Sequence, residues 1–166
     1  MGAGVAVAMI VAALAAWGLW PRPPAVPNSG GIRYLNVSAC LLTGPSGITP
    51  GTASAPVWDA MRAASQASHV MVSYLPDTGP ADVTPMLNTL IERQCGVIVA
   101  TGDATSAVAK AARANPHQSF LLVAAQGGHA AATATPNTVV IPAADASGRI
   151  GQALDALATH ATSAGS

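Results

Sequence analysis

The chain predicts an α/β fold, an open and mostly parallel sheet of about five strands with helices on both faces, and two observations carry that expectation. From Arg33 onward, short apolar runs rich in Val, Ile and Leu alternate with stretches of helical spacing, which is the pattern of parallel strands joined by crossover helices. Two of these runs, within VSACLLTGPSGI (residues 37–48) and GVIVATGD (residues 96–103), stop at Thr-Gly. A strand buried on both faces reads as such an unbroken apolar run and hands the chain to a loop at its carboxyl end. Ligand sites of open α/β sheets form at those ends, so residues 43–48 and 101–103 are expected on one rim.

Taken in order, the first strand lies within residues 34–43, and the Gly/Pro/Ser/Thr-rich stretch 44–53 is a loop. A first helix over residues 55–67 carries Val57, Met61 and Ala64 on one face. Residues 70–75 read as the second strand and 77–82 as a turn. The next helix, over 83–94, has the clearest periodicity, with Met86 and Leu90, then Leu87 and Ile91, repeating at helical spacing. Residues 96–101 form the third strand. Asp103 is placed to cap a third helix running to Ala114, its carboxylate accepting from free backbone N–H groups, and Asn115-Pro116 ends that helix. The fourth strand spans 119–125, a flexible stretch occupies 127–137, and a short fifth strand lies at 139–141. The last helix, over 144–162, buries a stripe of Ile150, Leu154, Leu157 and Ala158, and the tail 163–166 is expected to fray.

Composition narrows the function classes. Charged residues make up only 8% of the 166 and the formal net charge is zero, so the chain lacks the electrostatic footprint of a nucleic-acid or anionic-surface binder. Aromatic residues are 4%, and with Ala so abundant the core must rely on close approach of small side chains. His69, His117, His129 and His160 are scattered without metal-ligand spacing, and no G-x-x-x-x-G-K-[ST] occurs. Neither metal nor cofactor is therefore expected. The GPSG of residues 44–47 has its second Gly one place too early for a nucleophile elbow, which leaves Ser46 as a loop hydroxyl. The candidate ligand rim is Thr43, Gly44, Ser46, Thr101, Gly102, Asp103 and Gln126, all small or polar and without a titratable pair for acid–base chemistry.

Residues 1–20, MGAGVAVAMIVAALAAWGLW, form an uncharged stretch of the length a helix needs to cross a bilayer, closed by Trp17, Trp20 and Arg22 where interfacial anchors belong. They read as a transmembrane signal anchor rather than a cleaved signal, because a basic leading region and a small-x-small cleavage site are missing. The four prolines and Gly pair of residues 21–31 make a semi-extended linker, and residues 32–166 form one α/β domain.

Several segments in order resemble the N-terminal lobe of the basic membrane protein (BMP) type of substrate-binding protein, within the type 1 periplasmic-binding superfamily. They are ACLLTGPSGI (39–48), APVWDAMRAAS (55–65), QCGVIVATG (94–102), AARANPHQSFLLV (111–123) and NTVVIPAADASGRIGQALDAL (137–157). The resemblance implies non-catalytic solute recognition linked to an ABC transporter or to sensing, with a single-pass membrane anchor and the domain extracytoplasmic. It outweighs Arg22, which alone would hold the domain in the cytoplasm. Trp58 matches a Trp of the family and reads as a packing anchor. Family members that bind nucleosides carry an acidic and aromatic loop after the first strand, where this chain has Gly44, Pro45, Ser46 and Gly47, and nucleoside recognition is not carried over. The family also closes two lobes over its ligand, and the resemblance covers one. The partner is then a small solute, with a second copy supplying the opposing rim, or alternatively an envelope protein docked on the exposed face.

Cys40 and Cys95 are the two cysteines. An even number of thiols outside the cytoplasm favours a bridge, and the superfamily's sheet order makes their strands neighbours. Against this, Cys95 opens its strand while Cys40 lies deeper in its own, and a bridge tolerates only about 4.4–6.8 Å between Cα atoms. Two buried thiols acting as apolar fillers remain the alternative at this point.

The anchor reading makes a topological prediction. In cells the protein should sediment with membranes and be cut by protease added outside the cytoplasm, as followed by immunoblot; an intact, soluble cytoplasmic form would overturn it.

Overall fold

The computed structural model describes residues 34–101, 104–124 and 135–164. The expected anchor and linker, the expected rim residues Gly102, Asp103 and Gln126, and residues 125–134, most of the stretch expected to be flexible, lie outside the described residues. Among the described residues no helix is long and apolar enough to cross a membrane.

Five strands, β1 (Ser38–Thr43), β2 (Met71–Pro76), β3 (Val97–Thr101), β4 (Ser119–Ala124) and β5 (Thr138–Pro142), form one sheet in the order β2-β1-β3-β4-β5. Every neighbouring pair is parallel. Parallel strands need crossovers, and these are the helices α1 (Ser54–Ser68), α2 (Val83–Glu92) and α3 (Thr105–Ala114); a final helix α4 (Ala146–Ala164) follows β5 through a short 3-10 turn over Ala143–Asp145.

Strand alternation divides the core into two layers. On one face Cys40, Leu42, Ile98, Ala100, Phe120 and Leu122 meet Val83, Leu87 and Leu90 of α2 and Val108 and Ala112 of α3. On the other, Ala39, Leu41, Val99, Leu121 and Val123 meet Val57 and Met61 of α1 and Ile150 and Leu154 of α4. Because β1, β3 and β4 are covered twice, nearly all their residues are buried, which is why they read as unbroken apolar runs. The edge strand β2 is mostly exposed, with Tyr74 set edge-on to Trp58 at a centroid separation of 5.3 Å. Trp58 is half-buried and packs on the second layer. Small residues permit close packing: a Cβ on Gly96 would lie 2.5 Å from Leu157 Cδ1.

Cys40 and Cys95 form a disulfide with a Cα separation of 5.8 Å. The geometric objection assumed that Cys95 continues the line of β3. Instead Gln94 takes a left-handed conformation (φ 57°) at the end of α2, the Cys95 N–H stays on Leu90 O at 3.3 Å, and pairing with β1 resumes only at Gly96, whose N–H donates to Ser38 O at 2.8 Å. Cys95 thus lies in the turn beneath the sheet, on the face toward which Cys40 points.

Besides shifts of one or two residues at other element ends, four features differ from the sequence reading. Asn137 is not part of a flexible stretch: its Nδ2 lies 3.0 Å from Ala112 O, 2.9 Å from Asn115 O and 2.9 Å from Gln118 O, which pins the start of β5 to the end of α3. β5 is correspondingly longer, Thr138–Pro142. Ser163 and Ala164 continue α4 rather than fray, with the Ser163 hydroxyl donating to His160 O at 3.0 Å. The cap position of α3 falls on Ala104, without a side-chain cap bond, one residue beyond Asp103.

The disulfide encloses a sequence separation of 55 residues. In the chain-entropy account such a loop contributes about 4 kcal/mol. Reduction should therefore lower the melting temperature by roughly 10 °C, measured by circular dichroism with and without reductant. Two freely alkylated thiols in unfolded, unreduced protein would show that no bridge forms.

Candidate functional site

The strand order reverses between β1 and β3: the chain leaves β1 toward β2 on one side and later builds β3, β4 and β5 on the other. Crossovers that diverge in this way leave a crevice at the carboxyl ends of the two strands. The last residues of β1 and β3 are Thr43 and Thr101, so the two Thr-Gly stops do share one rim.

A cavity of about 280 Å³ opens at this rim, on the face covered by α2 and α3. Gly44 and Pro45 line it from the first loop, Thr101 from β3, Asp77 and Pro80 from the turn after β2, Val83 from the start of α2, and Ala104, Ser106 and Ala107 from the start of α3. Of the expected rim residues, the structure brings Gly44 and Thr101 together here. Thr43 is fully buried, and its hydroxyl donates to Gly44 O at 3.1 Å. Thr101 is buried as well, with its hydroxyl sharing a 2.7 Å hydrogen bond with Ser54 and lying 3.4 Å from Leu42 O. Ser46 sits exposed on the loop, where its carbonyl accepts from the Thr49 hydroxyl at 3.0 Å. Thr52 turns its hydroxyl back on Thr49 O at 2.8 Å, and the Gly47 N–H closes a tight turn on Gly44 O at 2.9 Å. The first loop is thus held by its own polar groups.

Asp77 was read only as a turn residue, and it is the group that stands out. Its backbone N–H extends the β1–β2 ladder by donating to Thr43 O at 3.0 Å, which fixes the residue at the rim. Its side chain is 8% exposed, and Oδ1 has no hydrogen-bond partner among the described residues. Nearly all buried polar groups are satisfied, so such an orphan marks a strained or functional position. Burial pushes the Asp77 carboxyl above the usual carboxylate range; a backbone hydrogen bond from Gly79 works in the opposite direction, and the charge of Asp82 adds to the rise. Asp82 itself accepts from the Thr78 hydroxyl. The signal that points to Asp77 in the sequence is the carboxyl-end rule already applied to Thr43 and Thr101, extended to β2, which ends at Pro76 directly before it.

No protein family matches the sequence, and no curated protein matches it. Solved structures do resemble the fold, two of them as follows. One is a candidate lipoprotein fragment from Peptoclostridium difficile 630, with a TM-score of 0.59 and 14% identity over 74% of this chain and 97% of that one. The other is a solute-binding protein of an ABC transporter system from Aeropyrum pernix K1, with a TM-score of 0.50 and 16% identity over 62% of this chain. The match spans 28% of the length of that protein. At these identities the likeness is one of fold: the chain shares the α/β architecture of these structures.

A stability consequence follows from Asp77. Since its folded-state pKa is raised, the folded protein holds this proton more tightly than the unfolded chain. The carboxyl's stabilising contribution is then fully present below the unfolded value and is lost as pH rises through the folded one. Asp77→Asn, which cannot ionise, should raise the melting temperature by roughly 2–4 °C at about pH 7, equivalent to about 1 kcal/mol, and change it little at about pH 3. Thermal unfolding of both proteins across that range checks the sign; a variant less stable at neutral pH would overturn it.

Proposed function

We propose that residues 32–166 form a non-catalytic, extracytoplasmic solute-binding domain of BMP type, tethered by residues 1–20 through the linker 21–31 and coupled to transport or sensing. The observation that carries this reading is the cavity of about 280 Å³ at the β1/β3 switch point, just below the range typical of small-ligand sites. The Cys40–Cys95 bridge supports it, because structural disulfides persist in oxidising compartments outside the cytoplasm. So does the likeness in fold to a candidate lipoprotein and to a transporter's solute-binding protein. A second reading, an envelope-protein interaction module, is favoured by the edge strand β2, where Met71 and Tyr74 are each 42% exposed.

A single rim covers one side of a ligand, whereas sites of useful affinity enclose most of it. A monomeric domain should accordingly hold a solute only at about millimolar dissociation constants, and tighter binding should require a second copy or a partner that supplies the opposing rim. A thermal-shift screen of residues 32–166 against sugars, amino acids and nucleosides, followed by titration calorimetry on a demonstrated monomer, tests this. No stabilisation by any solute would favour the interaction module, and micromolar binding to the monomer would show that one rim is a complete receptor.

A further inference from the structure

The walls and the floor of the rim cavity differ in chemistry. Pro45, Pro80, Val83 and Ala107 line it with hydrocarbon, and the ionisable side chain among them is Asp77. That carboxyl is more than nine-tenths buried and keeps one oxygen without a partner among the described residues, although its neighbour Asp82 five residues on is met by the Thr78 hydroxyl.

We propose that the carboxyl group of Asp77 recognises a small organic cation, an aliphatic or alicyclic amine bound as its ammonium ion with its hydrocarbon body against Pro45, Pro80, Val83 and Ala107. The proposal rests on the solute-binding reading above and names its ligand class. A buried carboxyl oxygen without a donor is costly in the unliganded protein, and a ligand N–H that reaches Oδ1 removes that cost on binding. Donor and charge are supplied together by an ammonium, whose hydrogen bond to a carboxylate is of the stronger, charge-assisted kind.

The sign of the charge follows from what borders the cavity. The starts of α2 and α3 contribute partial positive charge, as helix ends do, each equivalent to about half an elementary charge. Asp77 and Asp82 contribute whole negative charges in the same turn, so an anion is disfavoured and a cation welcomed. A metal ion is a poor fit, because hard cations take about six to eight oxygen ligands, and among the described residues no three His, Cys, Asp or Glu side chains group to hold one. The apolar walls complete the argument, since they have no use for a hydrated ion and suit a compact hydrocarbon.

The test uses the full chain reconstituted in phosphatidylcholine nanodiscs, with cyclohexylammonium chloride and cyclohexanol as probes of one ring size that differ in the charged donor. At about 20 mM the ammonium should raise the melting temperature by about 2 °C or more and cyclohexanol should leave it within about 0.5 °C, by mass action on the folded state. Asp77→Asn should abolish the response to the ammonium, and its own unliganded melting curve reports that it folds. Asp82→Asn should retain the response. Equal shifts from the two probes, an undiminished response in Asp77→Asn, or no response to the ammonium would each overturn the assignment. None of these results decides whether the cavity takes another class of solute, which the sugar, amino-acid and nucleoside screen decides separately.

Discussion

The structure depends on one piece of backbone pairing: β1 is bonded in parallel to β2 on one side and to β3 on the other. Parallel neighbours cannot be joined by a tight turn, so each step of the chain must cross a face of the sheet in a right-handed sense. Stepping outward from β1 to β2 puts α1 on one face, and returning past β1 to β3 puts α2 on the other. From this follow the two separate core layers, the double burial of the central strands, and the crevice above the carboxyl ends of β1 and β3 where the crossovers part. The site is a consequence of strand order before any side chain contributes to it.

Side chains then decide what the crevice can recognise, and they do so unevenly. Thr43, Thr101, Ser54, Thr49 and Thr52 are polar residues at or near the rim, yet each spends its hydroxyl on a neighbouring carbonyl or hydroxyl. They shape and stiffen the rim more than they offer it to a ligand. Asp77 is held in place through its backbone, by the bond to Thr43 O, which leaves its carboxyl oxygen Oδ1 uncommitted. A ligand group is better positioned when the main chain fixes it, because the side chain is not also needed to hold the loop.

Much of the fold was legible because its signals are local. The doubly buried strands announce themselves as apolar runs, and Val57 with Met61, or Ile150 with Leu154, repeat at helical spacing. The features that were not legible depend on contacts between distant segments. Asn137 looks like one more small polar residue in a Gly- and Ala-rich stretch until Ala112, Asn115 and Gln118 present three carbonyls to it. The disulfide geometry turns on one residue, Gln94, whose left-handed backbone takes Cys95 out of the line of β3. The shared rim is readable from the two Thr-Gly stops, whereas the hydrogen bonding of its side chains is not. Hydroxyls were given weight because they stand at strand ends, and their internal hydrogen bonds are invisible in sequence. An acidic residue in a turn is ordinarily solvated, and the burial of Asp77 depends on distant segments, among them Val83 of α2 and Ala107 of α3, that line the same cavity.

The two edges of the sheet are built to different standards, and this accounts for an uncompensated carboxyl in a small, Ala-rich domain. At the amino edge, the Cys40–Cys95 bridge, the Gln118 amide on Cys95 O at 2.8 Å, the three carbonyls gathered by Asn137 and the Leu35 N–H on His69 O at 2.7 Å tie consecutive turns to one another. The large buried side chains Phe120, Ile98 and Leu90 lie on the layer that contains the disulfide. At the carboxyl edge the described ties are hydrogen bonds, the Ser54 and Thr101 hydroxyls sharing one at 2.7 Å and the Asp77 N–H donating to Thr43 O at 3.0 Å, while the first loop bonds largely within itself. Proteins keep binding groups in such less tightly bound regions, since a site optimised for the ligand is by that fact not optimised for the empty fold. With the disulfide at the opposite edge, the cost of leaving Asp77 Oδ1 without a partner among the described residues falls on a rim whose strands are already anchored from below.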